Sequence, residues 1–370
     1  MTSHKNSTGA FFRWLALAVL VLSLAGACGR SQSDAEAKLP AGTTLLTGAG
    51  ATFPSVLYNR WFAVYQGSHP NVVVRYAAVG SGEGVRRFIG KNISEKEKID
   101  FGASDAAMSD AEIANAGGDA LMIPMTAGCV VLAYDLPGLQ GDLKLSRRAY
   151  SGIFLGEIKR WDDELIAEAN PDLDLPAISI TTAVRQDGSG TTFAFTKHLD
   201  AVSDKWRGRF GPATLVNWPG NAMRAKGNEG VAGLIGNSVG AIGYVGYEFA
   251  QRLGLKTAAL ENKDGKFVKP SERACGAALA AAELPENLRA FVPDPSGANS
   301  YPIVTFSWIL VRKRYPSAET ANALRDFFRW SLEDGQRYAA ELGYVPIPPS
   351  VAAKGRAALE AIQSGGGQTS

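Results

Sequence analysis

An α/β chain folded into two lobes is the architecture this sequence predicts, and two observations carry that expectation. The chain has 370 residues, more than one hydrophobic core usually organises. Along most of its length, strand-like segments also alternate with segments of helical apolar spacing, the pattern of central sheets flanked by helices.

The elements follow in order. From Thr43 a strand runs into Gly48-Ala49-Gly50-Ala51-Thr52-Phe53-Pro54, after which Leu57, Tyr58, Trp61, Phe62 and Tyr65 recur at helical spacing up to Gly67. Pro54 suits a first helical turn, where its missing N–H costs nothing. Val72 to Tyr76 is a second strand, followed by Gly80-Ser81-Gly82-Glu83-Gly84 and a helix holding Val85, Phe88 and Ile89. A short strand around Asp100 to Gly102 leads to Ala103-Ser104-Asp105, with a helix beginning near Met108. Leu121 to Val131 is apolar and strand-like, and is where the chain leaves one lobe for the other. Beyond it come a helix near Ser146 to Gly156, a strand at Ile178 to Val184, and a helix containing Phe193, Phe195 and Leu199. Strands at Gly240 to Tyr247 and Ile303 to Val311, and a late helix with Phe327, Phe328 and Trp330, complete the pattern.

Composition narrows the function. The chain is 46% hydrophobic and 20% charged, and its 41 glycines exceed the roughly 7% share usual in globular proteins. A net charge of +2 without a Lys/Arg-rich block argues against a nucleic-acid partner, so any anion site must be built locally. The histidines His4, His69 and His198 are scattered and no CxxC occurs, so neither a metal site nor a cofactor is expected.

The N-terminus sets the compartment. Basic residues around Lys5 and Arg13 precede a short apolar stretch from Trp14 to Leu24, which ends in Ala25-Gly26-Ala27-Cys28. That is the layout of a secretory signal, with an apolar stretch short of the roughly 20 residues of a spanning helix. Residues 1–27 are therefore expected to be a signal peptide. Cys28 after small residues resembles a bacterial lipobox and is the expected lipidation site; plain cleavage at the same bond would leave an unanchored protein. Residues 28–42 read as anchor and tether. Cys129 and Cys275 are then the pair available for a disulfide, and spacing alone does not reveal whether they meet.

Three segments share one design: a strand end, a turn rich in Gly and hydroxyls, then a helix start. Such a junction presents unpaired N–H groups and the positive end of a helix dipole to an anion. Gly50, Gly82 and Gly190 would let an oxygen approach the backbone, and Thr52, Ser81, Ser189 and Thr191 would add hydroxyl donors. Singly, each is more simply an N-cap or a turn. Arg185 is the natural charge partner, and Asp187 is placed to hold it. Asp105 is the unusual member, because a carboxylate repels an oxyanion unless the ligand brings a proton. Hydrogen phosphate has one to donate near neutral pH; sulfate has none. The plainer reading is that Asp105 caps the helix near Met108.

These segments carry a resemblance. Gly48 to Pro54, Asp100 to Asp105 and Arg185 to Thr191 are similar to the signatures of the periplasmic phosphate-binding proteins of bacterial phosphate ABC transporters. So are Val216-Asn217-Trp218-Pro219, Lys226-Gly227-Asn228-Glu229-Gly230 and Gly240 to Val245. The resemblance spans about Leu45 to Pro348. It implies a two-lobed type II periplasmic-binding fold, each lobe a mixed sheet flanked by helices, with crossings near Ile123 to Ala127 and Ile303 to Phe306. The lobes would be 43–124 with 304–362, and 125–303, leaving 363–370 as a disordered tail. It also implies a phosphate ligand set of Thr52, Phe53 through its N–H, Ser81, Asp105, Arg185, Ser189, Gly190 and Thr191, with Asp187 supporting Arg185. A monomer delivering phosphate to the permease and ATPase subunits of an importer is the implied partnership. The sequence departs from that pattern at Asn221 to Ala225 and at Glu83, whose charge is expected to oppose an incoming anion. Three rivals remain: a different tetrahedral anion, a phosphate sensor or scavenger without an importer, and a serine hydrolase using Ser189 with His198 as base. No Gly-x-Ser-x-Gly elbow supports the hydrolase.

Overall fold

The computed structural model describes residues 39–280, 282 and 284–365. The expected signal peptide, Cys28 and the tether as far as residue 38 lie outside the described residues, as do residues 366–370. All the elements of the fold belong to the unit that begins at Gly42.

Among the described residues, nine strands join into one sheet. One half is parallel at its edge. The strand Thr44–Gly50 pairs in register with Val72–Ala78 on one side and with Phe101–Ser104 on the other. Val304–Arg312 then runs antiparallel between Phe101–Ser104 and the long strand Ala120–Tyr134. That long strand links the halves. It pairs with Val304–Arg312 from Ala120 to Cys129, then with Ala241–Gly246 from Val130 to Tyr134. The second half continues through Thr181–Arg185 to Met223–Ala225.

Two hydrophobic clusters form the core, one within the first half and a larger one that fills the second half and reaches Phe88 and Trp308 of the first. Leu57, Trp61, Phe101, Phe327 and Phe328 belong to one, and Tyr150, Trp161, Phe195, Trp218 and Tyr244 to the other. The helix Ser55–Ser68 shows how sequence spacing builds the first. Leu57, Tyr58, Trp61 and Tyr65 form its buried face, each contributing about 1.5–3 kcal/mol by burial. Tyr58 stacks on Trp61, whose indole N–H donates to the Gly335 carbonyl at 2.7 Å.

The pairing of Val304–Arg312 with the long strand is broken by a bulge: Ser307 faces Thr126, whereas Trp308 faces Pro124. A central strand tolerates a proline only where the ladder is interrupted, and a bulge re-aims the side chains beside it. Ser307, next to this bulge, turns its hydroxyl onto Asp105 at 2.8 Å.

Cys129 and Cys275 form a disulfide that ties the long strand to the helix Glu272–Ala280 across a sequence separation of 146. Closing so long a loop stabilises a fold typically by about 2–4 kcal/mol. Replacing both cysteines with alanine should therefore lower the midpoint of a thermal melt by several degrees; an unchanged midpoint would show that the crosslink carries no stability. Gln363 and Ser364, expected in a disordered tail, instead pair with Arg314–Tyr315. The Gln363 N–H donates to the Lys313 carbonyl at 2.8 Å, so backbone hydrogen bonding orders a segment whose polar side chains gave no such signal. Among the described residues, no helix is long and apolar enough to cross a membrane.

Candidate functional site

The first junction forms where Thr44–Gly50 ends. Gly50 has φ +144°, and a Cβ there would stand 2.0 Å from the Ala103 carbonyl oxygen. The glycine thus lets two strands converge, a different role from admitting a ligand oxygen. The chain turns at Thr52, whose carbonyl accepts the Ser55 N–H at 3.2 Å and hydroxyl at 2.7 Å. Phe53 buries its ring edge-on to Tyr344, and the Tyr344 hydroxyl donates to the Phe53 carbonyl at 2.7 Å. These bonds hold the peptide that carries the Phe53 N–H.

The second junction meets the loop after Phe101–Ser104 at Asp105. Gly80, at φ +97°, turns the chain from Val72–Ala78 into the helix Ser81–Ile89. Ser81 Oγ accepts the Asp105 N–H at 3.2 Å and lies 3.5 Å from Asp105 Oδ2. Asp105 follows the strand Phe101–Ser104 and is 1% exposed. Its Oδ1 accepts from Ser307, and its carbonyl accepts the Thr305 hydroxyl at 3.2 Å. It is not a helix cap. The helix Asp110–Asn115 begins later and is capped by Ser109 in a capping box with Glu112. Burial pushes the Asp105 carboxyl up to about 7, against the lowering influence of the Ser307 bond, the Arg185 charge and the Ser81 bond.

The third junction supplies the positive charge. The strand Thr181–Arg185 delivers Arg185 at 2% exposure, and its N–H donates to the Tyr244 hydroxyl at 3.2 Å. The guanidinium grips Asp187 through Nε at 2.8 Å and through Nη2. That leaves the Nη1 hydrogens without a protein acceptor among the described residues. Burial opposes the Asp187 charge, yet the Arg185 bond and charge, with the Gly227 N–H at 3.1 Å, hold its carboxyl below the usual range. Ser189 caps the helix Gly190–Val202 by accepting the Thr192 N–H at 3.0 Å, and its own N–H goes to the Thr214 carbonyl at 2.8 Å. Gly190 and Thr191 open that helix, so their N–H groups have no intrahelical acceptor and lie at its positive end.

The junctions converge. A Cβ on Gly190 would stand 2.6 Å from both the Asp105 Cβ and Ser81 Oγ. The Gly82 N–H donates to the Gly188 carbonyl at 3.0 Å, and Thr52 and Thr191 share Asn228 as a hydrogen-bond partner. Glycine at 82 and 190 thus permits close approach between the two halves of the fold. Gly82 lines two cavities, of about 730 and about 490 Å³.

Other residues fall outside this cluster. Glu83 spends its charge locally, with Arg86 Nε at 2.8 Å and Arg87 Nε at 2.7 Å from its carboxylate, and the Arg86 bond leads in lowering its pKa. The expectation that it opposes an anion is thereby weakened. Asn221 to Ala225 contributes the edge strand Met223–Ala225 beside Thr181–Arg185 and no group to the cluster. His198 is fully buried, its Nε2 2.9 Å from the Tyr150 hydroxyl and its Nδ1 2.6 Å from the Pro293 carbonyl. Burial lowers its pKa to about 4.

Sequence reasoning missed Ser307, Thr305, Tyr244 and the role of Asn228. A signal existed for the first two: Thr305 and Ser307 share one face of an otherwise apolar central strand.

By its fold the chain is a two-lobed α/β binding protein of the type II periplasmic class. The sequence profile described as a PBP superfamily domain matches residues 34–334. The phosphate-binding protein PstS of Methanocaldococcus jannaschii is 36% identical over 375 aligned residues, covering 94% of each chain. That of Pasteurella multocida is 39% identical over 328, covering 88% of this chain and 92% of its own. The chain therefore belongs to the PBP superfamily and, within it, to the PstS family. Among solved structures, a high-affinity periplasmic phosphate-binding protein bound with phosphate superposes with a TM-score of 0.72 at 22% identity, covering 85% of this chain and 93% of its own.

Proposed function

We propose that this chain binds inorganic phosphate outside the cytoplasmic membrane and delivers it to an ABC importer. The observation that carries the reading is the pairing of a buried acceptor with buried donors. Asp105 stands within the field of Arg185 and against Gly190, at the positive end of the helix Gly190–Val202. Donors suit the deprotonated oxygens of hydrogen phosphate, and the carboxylate suits its one proton. The ligand set is Thr52, the Phe53 N–H, Ser81, Asp105, Arg185, Ser189, Gly190 and Thr191, with Asp187 holding Arg185. Membership of the PstS family supports the same ligand.

Residues 43–124 with 304–362 form one lobe of the clamp and 125–303 the other. Hinge closure about the long strand and the return near Ile303 would trap the anion between them. The permease and ATPase subunits of the importer would then recognise the closed form of a monomer, exported and anchored through lipid on Cys28. We read the chain as a binder and not an enzyme, because the ring nitrogens of His198 face Tyr150 and Pro293 and offer Ser189 no base.

Calorimetric titration of the phosphate-stripped mature chain near neutral pH tests this. Phosphate and arsenate should bind tightly and sulfate negligibly. Tight sulfate binding would move the ligand to another tetrahedral anion, and no phosphate binding would remove the reading.

A further inference from the structure

Asn228 lies on the second residue of the helix Gly227–Gly236 and is fully buried. Its side-chain oxygen accepts the Gly246 N–H at 2.9 Å. Only the oxygen of an amide can do so, which fixes the rotamer and turns the NH₂ group the other way. That group donates to Thr52 Oγ1 at 2.9 Å and to Thr191 Oγ1 at 3.1 Å. The Asn228 backbone N–H also donates to Thr52 Oγ1, at 3.1 Å.

A hydroxyl oxygen has two acceptor sites and one proton. On Thr52 both acceptor sites are taken by Asn228, so the proton is all that Thr52 can offer a ligand. On Thr191 one acceptor site is taken the same way. We infer that Asn228 is a positioning residue that sets the Thr52 hydroxyl as a donor, orients that of Thr191, and so favours Asp105 as the acceptor of the ligand's proton. Asn228 also bridges the two halves of the fold, since Thr52 follows Thr44–Gly50 while Thr191 opens the helix after Thr181–Arg185. The inference rests on the phosphate reading and deepens it. Specificity for a singly protonated tetrahedral anion comes in part from Asn228 removing Thr52 as an acceptor, as well as from Asp105 supplying one.

The test is phosphate titration of wild type, Asn228→Ala, Asn228→Asp, Thr52→Val and the Asn228→Ala/Thr52→Val double variant. Asn228→Ala should weaken phosphate binding about tenfold to hundredfold, the scale of one or two oriented hydrogen bonds. In the Thr52→Val background its effect should shrink to a few-fold, the part transmitted through Thr191. Asn228→Asp keeps an acceptor for the Gly246 N–H, which guards against simple misfolding. It should weaken binding more than alanine does, because both hydroxyls would turn to donate to the new carboxylate. Wild-type phosphate binding with strictly additive effects, or with an unchanged Asn228→Asp variant, would overturn the inference while leaving the phosphate reading intact. A wild-type chain that binds no phosphate would remove that reading and the inference with it.

Discussion

Replacing Asp105 with Asn should weaken phosphate binding about a hundredfold and narrow its margin over sulfate. In the proposed clamp the carboxylate accepts the proton of hydrogen phosphate, and a hydrogen bond to a charged group contributes about 1.5–3 kcal/mol. Asparagine can keep its oxygen on the Ser307 hydroxyl, at the distance of 2.8 Å that the aspartate uses. Its NH₂ group would then face the ligand, a donor where hydrogen phosphate needs an acceptor. For sulfate the same change replaces repulsion with a hydrogen bond. Titration of the variant with both anions measures the ratio, and a ratio equal to that of wild type would sink the proton-reading role.

The same substitution should reveal itself without ligand. Burial raises the Asp105 carboxyl from 3.8 to about 7, so between those values the folded chain holds a proton that the unfolded chain has released. Stability from this group is full below about pH 4 and is lost as pH rises through about 7. Its hydrogen-bonding partners Ser81, Thr305 and Ser307 carry no titrating group. The buried Glu248, whose carboxyl is raised by burial and by the Asp105 charge, is present in both wild type and variant, so the difference between them reports Asp105 together with its coupling to Glu248. Ligand-free Asp105→Asn should match wild type near pH 4 and exceed it at pH 8, by at most about 4 kcal/mol. Denaturant midpoints at the two values check this. A difference that does not grow with pH would mean that the carboxyl is not titrating as buried.

The parts of this fold and site that could be read in sequence are those decided locally. The buried face of Ser55–Ser68 follows from 3.6-residue spacing. The junctions before Ser81 and Gly190 follow from glycine and hydroxyl chemistry within a few residues. What the sequence could not supply depends on register. Ser307 reaches Asp105 across a separation of 202 because a bulge beside Pro124 re-aims it. Asn228 reaches Thr52 across 176 only once the two halves of the fold have met. At Gly50, Gly82 and Gly190 local reasoning reads only open backbone for a ligand; strand convergence and close approach between the halves are a second demand for a missing side chain, and these depend on contacts far apart in sequence.

Arg185 should show the largest loss of all, and two variants separate its duties. Arg185→Met removes the cation proposed to face the ligand and leaves Asp187, 11% exposed, as a nearly buried carboxylate without its partner. Breaking a buried pair in this way costs about 3–5 kcal/mol of stability, and phosphate binding should fall about a thousandfold or more. Adding Asp187→Asn removes the stranded charge, and the amide oxygen can still accept the Gly227 N–H, which now lies 3.1 Å from Asp187 Oδ1. The double variant should therefore regain much of the lost stability while phosphate binding stays at the level of Arg185→Met. Recovery of both would mean that Arg185 acts on the ligand only through the fold it stabilises. Recovery of stability alone would assign the guanidinium a direct share of the anion, with Asp187 as the group that aims it.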